Sequence, residues 1–304
     1  MKKALTERQM RTDQFAQQTI PLKVETSPFR IISRLLTHLF LILIAVMMIF
    51  PLLWLISTSL KHPSKQMLWP PQLIPNPLHW QNYVDLFRLA PMGHYLLNSF
   101  KVASLSVIGT CLSSSLAGFA FARMRFRGRD VLFVILLGTL MLPYAVTVIP
   151  TFVIMRELNW LDTHYPLIIP AYFGSAFNVF LLRQAYRAIP QELVDAAMLD
   201  GASFFHIYSR IFIPLGMPAL ATVALFAFLG SWNDLFSPLI YLSTQNKMTV
   251  ALGLTYLRGR AGTGTETIGI IMAGSLLGII PMLILYAFGQ RYFVQGLAKT
   301  GIRG

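Results

Sequence analysis

Charged and apolar positions follow one another along this chain in long blocks, not at the short periods of a soluble fold. Counting Asp, Glu, Lys and Arg, six windows contain none: 35–60, 102–122, 131–155, 163–182, 211–233 and 267–290. A bilayer core of roughly 30 Å needs about 20 helical residues, and every window is that long. Only helices and closed barrels satisfy their own backbone in lipid. These windows are too long and too evenly apolar for barrel strands of ~10 alternating residues. The pattern predicts an all-α integral membrane protein with six transmembrane helices, over about 35–60, 95–122, 131–155, 163–182, 211–240 and 267–290. A segment 1–34 precedes them and a tail 291–304 follows.

A seventh gap, 66–84, carries Pro70, Pro71, Pro75 and Pro77. Proline removes a helix donor and clashes with the preceding turn, so an extended loop is expected there. The first apolar window is too long for a secretory signal and lacks a small-residue cleavage site. It is expected to stay in place as the first span.

Composition supports the membrane class. Of 304 residues, 55% are apolar and 12% charged, about half the charged share of an ordinary soluble domain. The single cysteine, Cys111, excludes a disulfide framework and any cysteine-rich metal site.

The net charge of +13 reads as topology. Segments 1–34, 123–130, 183–210 and 291–304 share one side and hold 17 of the 25 Lys and Arg, against 7 in 61–94, 156–162 and 241–266. The positive-inside rule puts the first set, with both termini, in the cytoplasm. The run Arg123-Met124-Arg125-Phe126-Arg127-Gly128-Arg129 is the clearest anchor, and all five tryptophans fall near the opposite side. A nucleic-acid binder would carry its charge on a soluble domain, so no nucleic-acid partner is expected. Membrane lipid is.

The connection 183–210 is long and has a helical pattern. Pro190 suits a first helical position, and Glu192 and Asp195 place acid in the first turn. At ~100° per residue Leu193, Val194, Ala197 and Met198 share a face. Glu192 and Asp195 lie opposite, with Leu199 between them and Asp200 at the edge. Gly201 then interrupts the helix, and Ser203 is placed to cap a second turn. An amphipathic helix resting on anionic lipid would be basic on its polar face. This one is acidic, which favours a protein partner. Small residues at Ala196, Ala197, Gly201 and Ala202 would allow close approach.

The run Asp195-Ala196-Ala197-Met198-Leu199-Asp200-Gly201-Ala202, followed by Ile213-Pro214 and Pro218, resembles the "EAA" loop of bacterial ABC-importer permeases. Asp195 stands where that pattern has Glu, and Phe212-Ile213 is an apolar variant before Pro214. Phe50 to Lys61, Asn98-Ser99-Phe100, Ala120-Phe121-Ala122-Arg123, Ser231-Trp232-Asn233-Asp234 and Gln290 to Leu297 are similar to the carbohydrate-uptake subfamily, and within it to the six-span maltose G-type permease. The resemblance implies an inner-membrane permease subunit that does not hydrolyse ATP. ATP and magnesium would sit on partner ATPase subunits, with a second homologous permease and an extracytoplasmic solute-binding protein completing the assembly. Docking on the ATPase falls to the loop 190–203, with Glu192, Asp195, Ala196, Ala197, Leu199, Asp200, Gly201, Ala202 and Pro214 as the expected coupling residues.

Ionisable and polar residues within spans tend to be functional. Asp234, with Asn233 and Trp232, is the first candidate for the solute path, although a helix end anchored by its tryptophan explains it equally well. Asn178 is the second. Gly274 and Gly278, and Ser114 and Gly118, are small pairs that permit close helix contact. No Gly-x-x-x-x-Gly-Lys phosphate loop and no metal-ligand spacing occur, so neither catalysis nor a cofactor is expected in this chain. A secondary transporter of a small polar solute is the alternative. It would show internal repeats, interrupted helices and several buried charges. A membrane-embedded enzyme would need a polar cluster at one depth, and none is visible.

Overall fold

The computed structural model describes residues 28–260 and 267–301. Most of the expected segment 1–34, the glycine-rich stretch 261–266 and residues 302–304 lie outside it. Among the described residues there is no strand. The α-helices longer than six residues are α1 (Pro28–Ser59), α2 (Gln81–Leu89), α3 (Met92–Arg123), α4 (Arg129–Gly138), α5 (Tyr144–Glu157), α6 (Ala176–Arg187), α7 (Gln191–Leu199), α8 (Met217–Asn233), α9 (Val250–Arg260) and α10 (Ile268–Gly301).

The chain divides into two compact units, residues 1–53 and 54–304. The first holds most of α1, whose apolar side chains from Leu35 to Leu53 are largely exposed. The remainder of the fold belongs to the second.

Four helical segments, Ile32–Ser59, Met92–Arg123, Tyr165–Arg187 and Ile268–Gly289, are long and apolar enough to cross a bilayer. The count reaches six if each of two bent pairs makes one span. The expected span 131–155 is one such pair, bent by 101° between Arg129–Met141 and Tyr144–Glu157. Pro143 causes the break: Leu142 before it is extended, the conformation a following proline favours. The expected span 211–240 is also broken, by 78° between Phe204–Leu215 and Met217–Asn233. Its helix then stops at Asn233, and a short turn Phe236–Tyr241 follows. Within Tyr165–Arg187, a turn of α-helix and a 3₁₀ stretch Ile169–Phe173 end at Gly174, with φ +89°, before α6 begins.

Helix α3 is the axis of the second unit. Its buried positions include Ser99, Ala103, Ser106, Gly109, Thr110, Ser114 and Gly118, a stripe of small residues at helical spacing that lets other backbones approach. Tyr172 lies across Gly109, where an added Cβ would come within 2.5 Å of the ring. Leu182 of α6 lies at the Gly118 gap, at 3.0 Å. The expected small pair on α10 also permits close contact: an added Cβ at Gly274 would come within 2.4 Å of Leu254 and one at Gly278 within 3.0 Å of Val250, while the Gly278 carbonyl accepts from Trp232 Nε1 at 3.0 Å.

The connections 61–94 and 241–266, expected as loops, contain α2 and α9 instead. Both are short: α2 mixes polar and apolar positions, and the apolar run of α9, Val250 to Leu254, is far too brief for a span. They pack with the start of α3: Leu86, Met92, Tyr95, Met248, Val250, Leu252 and Ile270 form one buried cluster. Asn98 Nδ2 donates to the carbonyls of Asn246 and Met248, and Ser99 Oγ accepts from the Val250 N–H. Around the end of α1, Asn82 Nδ2 donates to the carbonyls of Ser59 and Lys61 at 2.8 and 2.9 Å. Lys61 is buried with Nζ 4.0 Å over the Trp54 ring, and burial lowers its pKa.

Asp162, in the left-handed region at φ +53°, ties the 241–249 segment down. Its carboxylate accepts from the Ser243 and Thr244 N–H groups, from Thr244 Oγ1 at 2.6 Å and from Lys247 Nζ at 2.9 Å. Partial burial alone would raise its pKa; the hydrogen bonds outweigh that and hold it well below the usual carboxylate range. A depressed native pKa stabilises fully above the unfolded value of about 4 and is lost as pH falls through the native one. Asp162→Asn is therefore expected to lower the melting temperature at pH 7 by about 2–4 °C, the effect of ~1 kcal/mol. In thermal melts of detergent-purified protein, the gap to wild type should narrow as pH drops below about 4.

Candidate functional site

Helix α7 begins after Pro190, carries Glu192 in its first turn and ends at Leu199 with Asp200 as its C-cap. The Ala202 N–H donates to the Ala197 carbonyl at 2.9 Å and the Gly201 N–H to the Met198 carbonyl at 3.0 Å. That pair of bonds closes a helix with its following residue left-handed, and Gly201 has φ +78°. Ser203 then caps the next turn, its Oγ accepting from the His206 N–H at 3.3 Å.

The face that α7 turns inward is narrower than helical geometry alone suggested. Val194 is 3% exposed and Ala197 is half-buried against the same cluster, while Leu193 and Met198 stay largely exposed. Glu192, Asp195, Ala196 and Asp200 are exposed, and Leu199 among them is 89% exposed. The space a Cβ would take at Gly201 is open. An acidic surface with a bare leucine at its centre thus faces away from the rest of the chain.

Beneath α7 lies a second buried cluster, with Phe119, Leu182, Tyr186, Ile207, Tyr208, Phe212 and Val223. Ser115 of α3 sits at its polar centre. Its Oγ accepts from Tyr208 Oη at 2.9 Å and shares a hydrogen bond of 2.6 Å with Tyr186 Oη. A π-helical turn Tyr208–Phe212 and the turn Ile213–Leu215 containing Pro214 lead to Gly216. There the chain bends into α8. A Cβ at Gly216 would stand 2.4 Å from Tyr186 Cε1, so the bend and the tyrosine share one space.

Arg123, the last residue of α3, was legible as part of the basic anchor and of the Ala120–Arg123 resemblance, with no role of its own. Its Nη1 donates to Gln191 Oε1 at 2.5 Å and its Nη2 to the carbonyls of Tyr186, at 2.9 Å, and Ile189. Its guanidinium lies 5.3 Å over the Phe212 ring. Gln191 Nε2 donates in turn to Asp195 Oδ1 at 3.0 Å.

The expected path residues do not form one group. Trp232 is 5% exposed, stacks on Phe228 and spends its N–H on Gly278. Asn233 is exposed and donates to the Leu229 carbonyl. Asp234 Oδ1 accepts from the Ser237 N–H at 3.1 Å, starting the next turn. Asn178 is 8% exposed in the first turn of α6, just beyond the Gly174 break, and its Oδ1 has no hydrogen-bond partner among the described residues.

A family model for the inner membrane component of binding-protein-dependent transport systems matches residues 109–299. The chain belongs to this family. The arabinooligosaccharides transport system permease protein AraQ of Halalkalibacterium halodurans is 35% identical over 93% of this chain and 100% of its own length. The sn-glycerol-3-phosphate transport system permease protein UgpE of Yersinia pestis is 31% identical, covering 86% and 95%. A chain in the crystal structure of a bacterial ABC transporter involved in import of the acidic polysaccharide alginate has the same fold, with a TM-score of 0.76 at 24% identity over 88% of this chain and 98% of that one.

In a binding-protein-dependent permease the interrupted spans carry a different weight from the one given them above. They are features a secondary transporter would also show, so they do not separate the two classes; family membership does. The shared space at Gly216 gives a test with an internal control. Gly216→Ala should destabilise by about 1–3 kcal/mol through overpacking. Gly230→Ala, within α8 and with open space around its Cβ, should be neutral or slightly stabilising. Thermal unfolding of both variants, followed by tryptophan fluorescence, makes the comparison.

Proposed function

We propose that this chain is one of two permease subunits of an ABC importer for a carbohydrate or related polar solute, and that α7 with the turn after it docks on a partner ATPase. The exposed acidic face of α7, with Leu199 at its centre and Gly201 closing it, carries the reading. A helix that leaves its one fully exposed leucine among carboxylates suits a partner offering both a basic rim and an apolar pocket. Glu192, Asp195 and Asp200 would meet the rim and Leu199 the pocket. Ala196, Ala197 and Ala202 would keep the approach close.

In this reading ATP and magnesium bind on the ATPase, and nucleotide-driven closure displaces α7. The rigid turn at Gly201 and the bend at Pro214 and Gly216 would pass that displacement into α8. Both termini lie in the cytoplasm with α7. The cluster built from α2, α9 and the start of α3 faces outward, toward a solute-binding protein that delivers substrate. The names of the relatives support a solute rich in hydroxyl groups, neutral or phosphorylated. On the path, Asn178 is the group with unspent hydrogen-bonding capacity, whereas Trp232 and Asp234 already serve the fold.

Co-purification in mild detergent from the native membrane, followed by mass spectrometry, should recover an ATPase subunit and a second permease. Gly201→Asp should abolish solute uptake while leaving the chain in the membrane, since no L side chain adopts φ +78° without a cost of about 1–2 kcal/mol and the new carboxylate would point into the docking surface. Normal uptake by that variant would refute the coupling role.

A further inference from the structure

The ends of α3, α6 and α7 and the π-helical turn before α8 meet at one guanidinium group. Helix α6 ends at Arg187, and the carbonyls of Tyr186 and Ile189 fall where the chain turns toward Pro190. The last carbonyls of a helix lack the N–H four residues on that would pair them. Arg123 donates to both carbonyls, joining the Ile189 N–H at that of Tyr186. Its other amino group reaches Gln191 at the start of α7, and its face covers Phe212. Gln191 extends the chain of bonds to Asp195, on the acidic face.

A basic residue at the end of a span has a simpler use, as a topological anchor. Any cation serves that purpose. The arrangement around Arg123 needs more: a planar fork donating in two directions in its own plane while its face stacks on a ring. Lysine, a point charge on a flexible stem, provides neither the fork nor the face. Two turns back along α3, Ser115 makes a second tie, to Tyr186 and Tyr208. Residues 115 and 123 are about 12 Å apart along the helix. One attachment would leave a pivot; two separated along the axis resist rotation.

We propose that Arg123 is the positioning residue of the coupling step: it locks the angle between α7 and α3, so that displacement of α7 moves the long helix and is not absorbed in the turn at residues 188–190. Ser115 is the second point of the clamp. The proposal rests on the importer reading of α7.

The test uses the complete importer, with its ATPase subunits, second permease and solute-binding protein, reconstituted in liposomes. Two quantities are read: the ATPase subunits retained on purification, and the solute imported per ATP hydrolysed. Arg123→Lys keeps the positive charge, so insertion, ATPase retention and hydrolysis should persist. Solute per ATP should fall about tenfold, within the usual range for coupling between sites. Gln191→Ala, which removes one contact of an exposed side chain, should give a smaller fall in the same ratio. A wild-type ratio in Arg123→Lys overturns the proposal alone. Uptake and hydrolysis falling together at constant ratio also overturn it, because Arg123 then only supports folding. A wild-type chain that retains no ATPase subunit overturns the importer reading and the proposal with it.

Discussion

A helix interrupted in an apolar medium exposes carbonyls and N–H groups that no water can reach, and this fold interrupts its helices repeatedly. Helix α3 resolves the problem. It is itself unbroken over 32 residues, and its hydroxyls serve the breaks in its neighbours. Ser106 Oγ donates to the Leu167 carbonyl and Ser113 Oγ to that of Ala171, both at 3.1 Å, in the irregular stretch before Gly174. Arg123 does the same at the end of α6. Small residues between these donors, Gly109 and Gly118 among them, keep the distances short enough for the bonds to form. Without a hydrophobic drive between helices in lipid, that combination of close packing and satisfied backbone holds the bundle together.

The spans, four to six in number, could be read from the sequence because an absence of charge over 20 residues has few other causes. Their breaks could not. Pro143 and Gly216 sit in windows that already contain tolerated prolines and glycines, Pro150 within α5 among them, and what decides whether such a residue bends a span is the partner waiting for the freed backbone. Helices α2 and α9 were hidden for a related reason: each is short, and its apolar side chains face a cluster assembled from distant segments. Helix α7 was legible because its acid, its terminating glycine and its cap occur in order over a dozen residues.

Arg123 shows where reading by side-chain type stops. A positive-inside count explains every arginine in 123–130 equally well. The acceptors that set this one apart are two backbone carbonyls and one amide, and carbonyls have no signature in a sequence. The residues expected on the solute path show the converse. Trp232, Asn233 and Asp234 have the chemistry to meet a sugar, yet each already has an internal partner. Asn178 is the less conspicuous residue, and it keeps an unpartnered oxygen beside a broken helix.

Leu199 and Phe205 stand exposed within seven residues of each other, and each leaves about 1.5–3 kcal/mol of burial unrealised. On the reading proposed above, that surface is covered only in the assembled importer. An orphan copy of this chain would therefore differ from an assembled one in a way any holdase or membrane protease senses directly, by an apolar patch at the end of an acidic helix. Subunit stoichiometry would then be policed by the same few side chains that transmit the power stroke.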